Sequence, residues 1–184
     1  MGEGLSMAKP DTAERILDIA EKAARTGGYN AFSFREIAAE IGIKSASVHY
    51  HFPTKEALGE ALAERYSDNF FIALGDPQGA EPAELLKRYV AAYGTALKQD
   101  GLMCLCGVFG AEIADLPRPV ASATRAFFAR NLEWLRQVYQ RQGLQRDAAD
   151  RAAAHMIATL EGAMILARAM EDAALFDAAV ARLS

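Results

Sequence analysis

Cysteine is scarce, with Cys104 and Cys106 the only two in 184 residues. That is too few for a disulfide framework, and the usage fits a cytoplasmic protein. On one helix, positions two apart point about 200° away from each other, so the C-x-C pair is badly placed to close a bond or share a metal. No His or Cys lies nearby in sequence to complete a zinc site. Long apolar runs are missing too: none approaches the ~20 residues of a membrane-spanning helix. The opening MGEGLSMAKP lacks the charged-then-apolar pattern of a secretion signal, and residues 1–10 read as a disordered arm. A basic excess is also absent. The net charge is -4, and the first 58 residues carry seven Lys or Arg against eight Asp or Glu, whereas nucleic-acid binders ordinarily show a basic footprint. There is no Gly-rich phosphate loop, H-E-x-x-H, G-x-S-x-G or paired-Cys zinc pattern. No enzyme constellation can be assembled from the rest, and neither cofactor nor metal is expected. Runs of β-branched residues are few and Ala is abundant, which favours helix. The expected fold class is all-α.

The most informative stretch is Ser33 to Lys55, SFREIAAEIGIKSASVHYHFPTK. Ser33 and Glu36 form an S-x-x-E capping box that starts a helix. Ile37, Ala38 and Ile41 supply its apolar face. Gly42 suits a tight turn, because glycine enters the left-handed region at little steric cost. Lys44-Ser45-Ala46-Ser47 opens a second short helix, Val48 points inward, and Pro53 ends it. Thr54 can cap a further helix from Lys55. Two short helices across a Gly-containing turn make a helix-turn-helix. In DNA-binding versions the second helix enters the major groove, where small residues let the backbone approach the bases. Topology alone also fits an ordinary helical hairpin.

This run resembles the DNA-binding domain of TetR-family transcriptional repressors. The resemblance rests on GYNAFSFREIAAEIGI, on KSASVHYHF, on the exit Tyr50-His51-Phe52-Pro53-Thr54-Lys55 and on PTKEALGEAL, and it covers about the first third of the chain. His49 departs from it, standing where many members carry an aromatic residue. The resemblance implies a helix-turn-helix domain over residues 11–56 and an effector-binding and dimerisation domain over 57–184. It implies that Arg35, Lys44 and Lys55 hold phosphates with help from Ser33, that Ser45, Ser47, His49, Tyr50 and His51 meet bases or backbone, and that Thr12 touches the backbone. It further implies a homodimer on a palindromic double-stranded operator, paired through the last two helices.

Helical periodicity continues through the rest. A first helix begins after Asp11, with Glu14 as its capping-box partner, and ends at Gly27-Gly28. A fourth helix over 55–74 would be ~30 Å long, enough to serve as a lever between two domains. Further helices are expected over 82–98, within GLMCLCGVFGAEIADLP, over 119–142 and over 147–170, with a short apolar segment at 172–182. Glu112 reads as solvated or structurally paired. A ligand cavity in the second domain would be mostly apolar with a few polar groups. Its candidate lining is Tyr66, Phe70, Tyr89, Tyr93, Phe127, Phe128 and Trp134, with Asn131, His155 and Thr159 as polar members and Cys104 beside them. The pattern Cys104-Leu105 … Ala111-Glu112-Ile113-Ala114 looks like a TetR subgroup whose cysteine senses electrophiles or oxidants. Such chemistry needs partial exposure and a helix-start or cationic setting. Three readings therefore stand: a repressor released by a small-molecule or electrophile effector, a thiol-based regulator acting through Cys104 without a pocket, and a helical enzyme or carrier whose helix-turn-helix is only structural.

Overall fold

A computed structural model describes residues 11–183, and the arm expected over residues 1–10 lies outside them. The described elements are all helical: α1 (Thr12–Gly27), a 3-10 turn (Tyr29–Ala31), α2 (Phe34–Ile41), α3 (Ser45–His51), α4 (Lys55–Leu74), α5 (Pro82–Asp100), α6 (Leu105–Ala111), α7 (Arg118–Arg141), α8 (Arg146–Ala169) and α9 (Ala174–Val180). The all-α expectation holds. α1 to α3 form a small N-terminal unit. α4 runs out of it and packs on α7, α7 and α8 lie along each other, and α9 folds back on α8 and α5. Among the described residues no helix is long and apolar enough to cross a membrane.

Local chemistry accounts for the helix ends. The Thr54 hydroxyl accepts the Ala57 amide at 3.1 Å to start α4. Gly42, at φ 79°, ends α2 with its amide bonded to Ala38 and Ala39 carbonyls. Two expectations are revised. Asp11 sits at the start of α1 but makes no side-chain cap; Glu14 instead reaches across to Arg65 at 3.0 Å. The sixth helix is shorter than its sequence, because Gly101 closes α5 in the left-handed region and the chain needs residues up to Cys104 to turn into α6.

The two parts of the molecule meet around Tyr29. Its ring packs edge-on against Phe32 at 5.6 Å and against Phe109 of α6 at 6.0 Å. It also occupies the space beside Gly59 in α4, where a Cβ would lie 2.7 Å from the ring and 2.9 Å from Val120 of α7. The Tyr29 amide donates to the Glu112 carboxylate at 2.9 Å, so Glu112 is structurally paired, one of the two roles its sequence suggested. The Arg168 guanidinium of α8 donates to the last carbonyls of α1, those of Arg25 and Thr26, at 3.1 and 2.7 Å. Unpaired carbonyls at a helix C-terminus carry partial negative charge, and a cation there satisfies them. One continuous buried cluster consequently runs from Ile16 in α1 to Val180 in α9. Burial of an aromatic such as Phe109 in it contributes about 2 kcal/mol.

α1 and α4 are also clamped by charge. Arg65 of α4 donates to Glu14, Asp18 and Glu21 of α1 at 3.0, 2.7 and 2.8 Å. Glu14 and Asp18 are exposed, so water and salt weaken their share. Glu21 is largely covered and is the stronger partner.

Gly59→Ala tests the wedge. In an open helix that change stabilises by up to about 1 kcal/mol; here the crowding against Tyr29 and Val120 should outweigh it and give a net loss of about 1–2 kcal/mol, read by urea unfolding. A gain in stability would show that Tyr29 does not fill that space.

Candidate functional site

The helix-turn-helix, the expected DNA reader, is built from α2, its turn and α3. The Ser33 hydroxyl accepts the Glu36 amide at 3.3 Å and donates to the Glu36 carboxylate at 2.7 Å. Ile37, Ala38, Ile41 and Val48 are buried and fix the angle of α3 against α1. Arg15 of α1 adds a bond to the Ile41 carbonyl at 3.2 Å. The outer face of α3 stays free: Tyr50 is 84% exposed, Lys44 and His49 are exposed, and Ser45, Ser47 and His51 are half-buried. Thr12, Lys44, Ser47, Tyr50 and His51 line one shallow groove of about 400 Å³. Thus Thr12 at the start of α1 shares one surface with the outer face of α3.

Three residues of the expected reading set have other engagements. Lys55 does not project outward: its ammonium lies 4.7 Å from the ring centres of both Tyr29 and Phe32. Burial there lowers its pKa, against the opposing pull of Glu36 and Glu112. Ser33 is occupied as a helix cap. The His49 ring packs edge-on to Phe34 at 4.6 Å and its Nδ1 lies 3.4 Å from the Pro53 carbonyl, contacts that hold α2, α3 and the exit together. Arg35 is exposed on α2.

Behind the reader, α1, α4, α5 and α8 surround a cavity of about 460 Å³. Of the expected lining residues, Tyr66, Phe70, Tyr93 and Cys104 are there. The others lie elsewhere, for identifiable reasons. Tyr89 donates to Asn131 at 2.6 Å, and Asn131 donates to the Phe127 carbonyl at 2.7 Å, so this polar pair is satisfied inside the core. Trp134 stacks on Tyr89 at 5.7 Å and donates its indole N–H to the Gly75 carbonyl at 2.9 Å. Phe127 is fully buried and Phe128 packs beside Gly110. His155 is exposed and Thr159 half-buried on α8, and neither reaches the cavity.

Sequence reasoning missed Glu21 and Arg25, which bring α1 into the cavity wall, and also Arg88, Asp100 and Met164. It missed the small face Ala91, Ala92, Thr95 and Ala96 as well. The i, i+1, i+4, i+5 spacing of those four was the available signal for empty space beside α5.

Cys104 is the N-cap of α6, with its sulfur accepting the Gly107 amide at 3.3 Å. The helix-start setting that thiol sensing needs is therefore present, but the partial exposure it needs is not. Cys104 is 1% exposed, and burial, followed by the nearby Glu161 carboxylate, pushes the thiol up. Cys106 is also buried and shifted upward. Glu161 itself lies against Gly107 and accepts from Tyr93 at 3.4 Å. Burial raises its carboxyl to about 7. Among the described residues no group of three His, Cys, Asp or Glu is placed to hold a metal ion.

Comparison with known proteins agrees with this architecture along the chain. Residues 16–62 match the family described as bacterial regulatory proteins, tetR family. Residues 82–182 match the C-terminal domain of LmrA/YxaF-like transcriptional regulators. The HTH-type transcriptional repressor DhaR of Mycobacterium sp. (strain GP1) is 26% identical over 170 residues, which span 86% of this chain and 83% of DhaR. A TetR transcriptional regulator from Legionella pneumophila superposes with a TM-score of 0.91 at 33% identity, covering 96% of this chain and 97% of that one. A TetR-family regulator from Agrobacterium tumefaciens gives 0.84 at 33% identity, covering 91% and 92%. With its reader joined to a helical domain and matches over both parts, the chain belongs to the TetR family of transcriptional regulators.

Proposed function

We propose that this regulator is a homodimeric repressor that places α3 of each protomer on one half of a palindromic operator and releases it when a small molecule fills the cavity. The observation that carries the reading is that one cavity touches α1 and α4 together, through Glu21 and Arg25 on the first and Tyr66, Asn69 and Phe70 on the second. α1 braces α3, and α4 is the helix that leaves the reader. A ligand whose contacts favour one arrangement of these two helices shifts the population of reader positions. Two readers must sit about 34 Å apart, or a multiple of that, to engage half-sites on one face of the duplex, so a small tilt of α4 lowers affinity. The work is that of a cytoplasmic, DNA-bound protein, and the similarity to a repressor supports repression over activation.

A pairing surface supports the dimer. Ala154, Ala158, Gly162, Ile165 and Ala169 recur at helical spacing on the exposed side of α8. Ile165 is 56% exposed, and Leu132 of α7 and Leu166 of α8 are exposed as well. The short α9 contributes less than its sequence suggested, because Phe176 and Val180 are already buried within the protomer. The pair that would meet its copy is α7 with α8.

The thiol-sensing alternative is the weaker one here, since a buried thiol with a raised pKa presents little thiolate. The enzyme-or-carrier alternative finds no support among the relatives, which are transcriptional regulators.

Two outcomes follow. Lys44→Ala and Tyr50→Ala should each weaken binding to the duplex upstream of the protein's own coding region by about tenfold or more, with Lys44→Ala also lowering the salt dependence by about one counterion. Fluorescence anisotropy against a scrambled duplex measures both, and unchanged affinity in the two variants would remove α3 as the reader. Ile165→Asp should convert a dimer to monomer in sedimentation velocity and reduce operator affinity in parallel; a dimer that persists would place the interface elsewhere.

A further inference from the structure

The geometry points to Arg25 as the residue that selects the effector, and to an aromatic carboxylate as the ligand class of the cavity. This rests on the effector role proposed above and names the chemistry of that site. The apolar part of the wall sets three aromatic rings opposite small side chains, which leaves room for a ring between them. Tyr66 and Phe70 lie with rings 6.4 Å apart and 20° from parallel, Tyr93 stands edge-on to Phe70, and Leu74, Met164 and the small alanine face of α5 line the rest. Planar rings are the shape that such walls hold best.

The polar part is dominated by one incompletely used guanidinium. Arg25 lies 5.4 Å from the Tyr66 ring centre. Its Nε donates to the Met103 carbonyl at 2.7 Å and its Nη1 to Glu21 at 3.2 Å, whereas its Nη2 makes no hydrogen bond among the described residues. Arg88, the other cation of the lining, has both terminal nitrogens engaged, by the Leu74 carbonyl at 3.0 Å and Glu84 at 2.9 Å. The Nη1 and Nη2 of Arg25 form the edge that binds a carboxylate through two parallel bonds. Glu21 can yield Nη1 without being stranded, because Arg65 holds its other oxygen at 2.8 Å.

A cationic ligand finds no equivalent anchor in the lining. Of the two acids there, Glu21 is matched by two guanidiniums and Asp100 is exposed to water. Arg25 stands on the last turn of α1 and is tied through Glu21 to Arg65 of α4. A carboxylate drawn to it acts directly on the helix that braces the reader as well as on the lever.

Titration calorimetry with 2-naphthoate and biphenyl-4-carboxylate, each beside its carboxamide and its methylamine analogue, tests the assignment. Both acids should bind at least about tenfold tighter than their amides and amines. Arg25→Gln should remove that preference, leaving the amides nearly unaffected, and Arg25→Lys should restore part of it. Ala96→Phe, which fills the cavity, should abolish binding of the acids. Equal affinity of acid and amide, no binding of either acid, or acid binding untouched by Arg25→Gln or by Ala96→Phe would each overturn it. Thermal melting checks the fold of each variant; should Arg25→Gln not fold, the acid-to-amide ratio in the wild-type protein and the Ala96→Phe result decide. Operator anisotropy is read separately: acids that bind without releasing the duplex would refute the effector role while leaving the ligand class intact.

Discussion

The ring of Tyr29 fills a notch that exists only because position 59 has no side chain. Two helices converge on that one side chain, α4 at Gly59 and again through the Lys55 ammonium, and α6 at Phe109, while Val120 of α7 closes the other side of the notch at Gly59. Its backbone is held from the other side by Glu112. A packed interior is rigid and resists continuous deformation, so the reader cannot shift against the helical body without moving this contact. Burial pushes the Tyr29 phenol up to about 12, further from titration than a phenol in water.

Around this fixed point the molecule has two connections between cavity and reader. One is α4, whose residues 66, 69 and 70 line the cavity and whose first turn lies against Tyr29 and Phe32. The other is short. α6 starts at Cys104 in the cavity wall and is followed at once by Glu112 on the Tyr29 amide, while Arg25 joins the wall to the Met103 carbonyl just before it. Coupling between sites needs elements with alternative arrangements that both sites bias. The carboxylates around Arg65 and the carbonyls around Arg168 are suited to this, because such contacts exchange partners over small displacements.

What could be read from sequence was the chemistry whose partners lie close along the chain. The Ser33 and Thr54 caps, the Gly42 turn and the bounds of α4 all depend on neighbours within four residues. The cavity depends on packing between distant segments. Tyr66 and Phe70 could be found because they repeat along one helix. Asn131 could not be placed, since what satisfies it is Tyr89, which lies 42 positions away. His155 illustrates the same limit: a polar residue on an apolar helix reads alike whether it faces a cavity or water. Cys104 stands at a helix start, as the sensing reading requires, but burial by surrounding helices, which local sequence does not reveal, pushes its thiol up. Glu21 and Arg25 are not legible as cavity residues, because what the outer face of α1 meets comes from helices far along the chain.

The bond from Trp134 to the Gly75 carbonyl has a practical side. Trp134 is the only tryptophan in the chain, and it grips the carbonyl just beyond the last residue of α4 while stacking on Tyr89. Any swing of that helix changes the polarity and packing around a single indole. The protein thus carries a built-in optical probe at the far end of α4, one whose emission would follow any motion of that helix in unlabelled material.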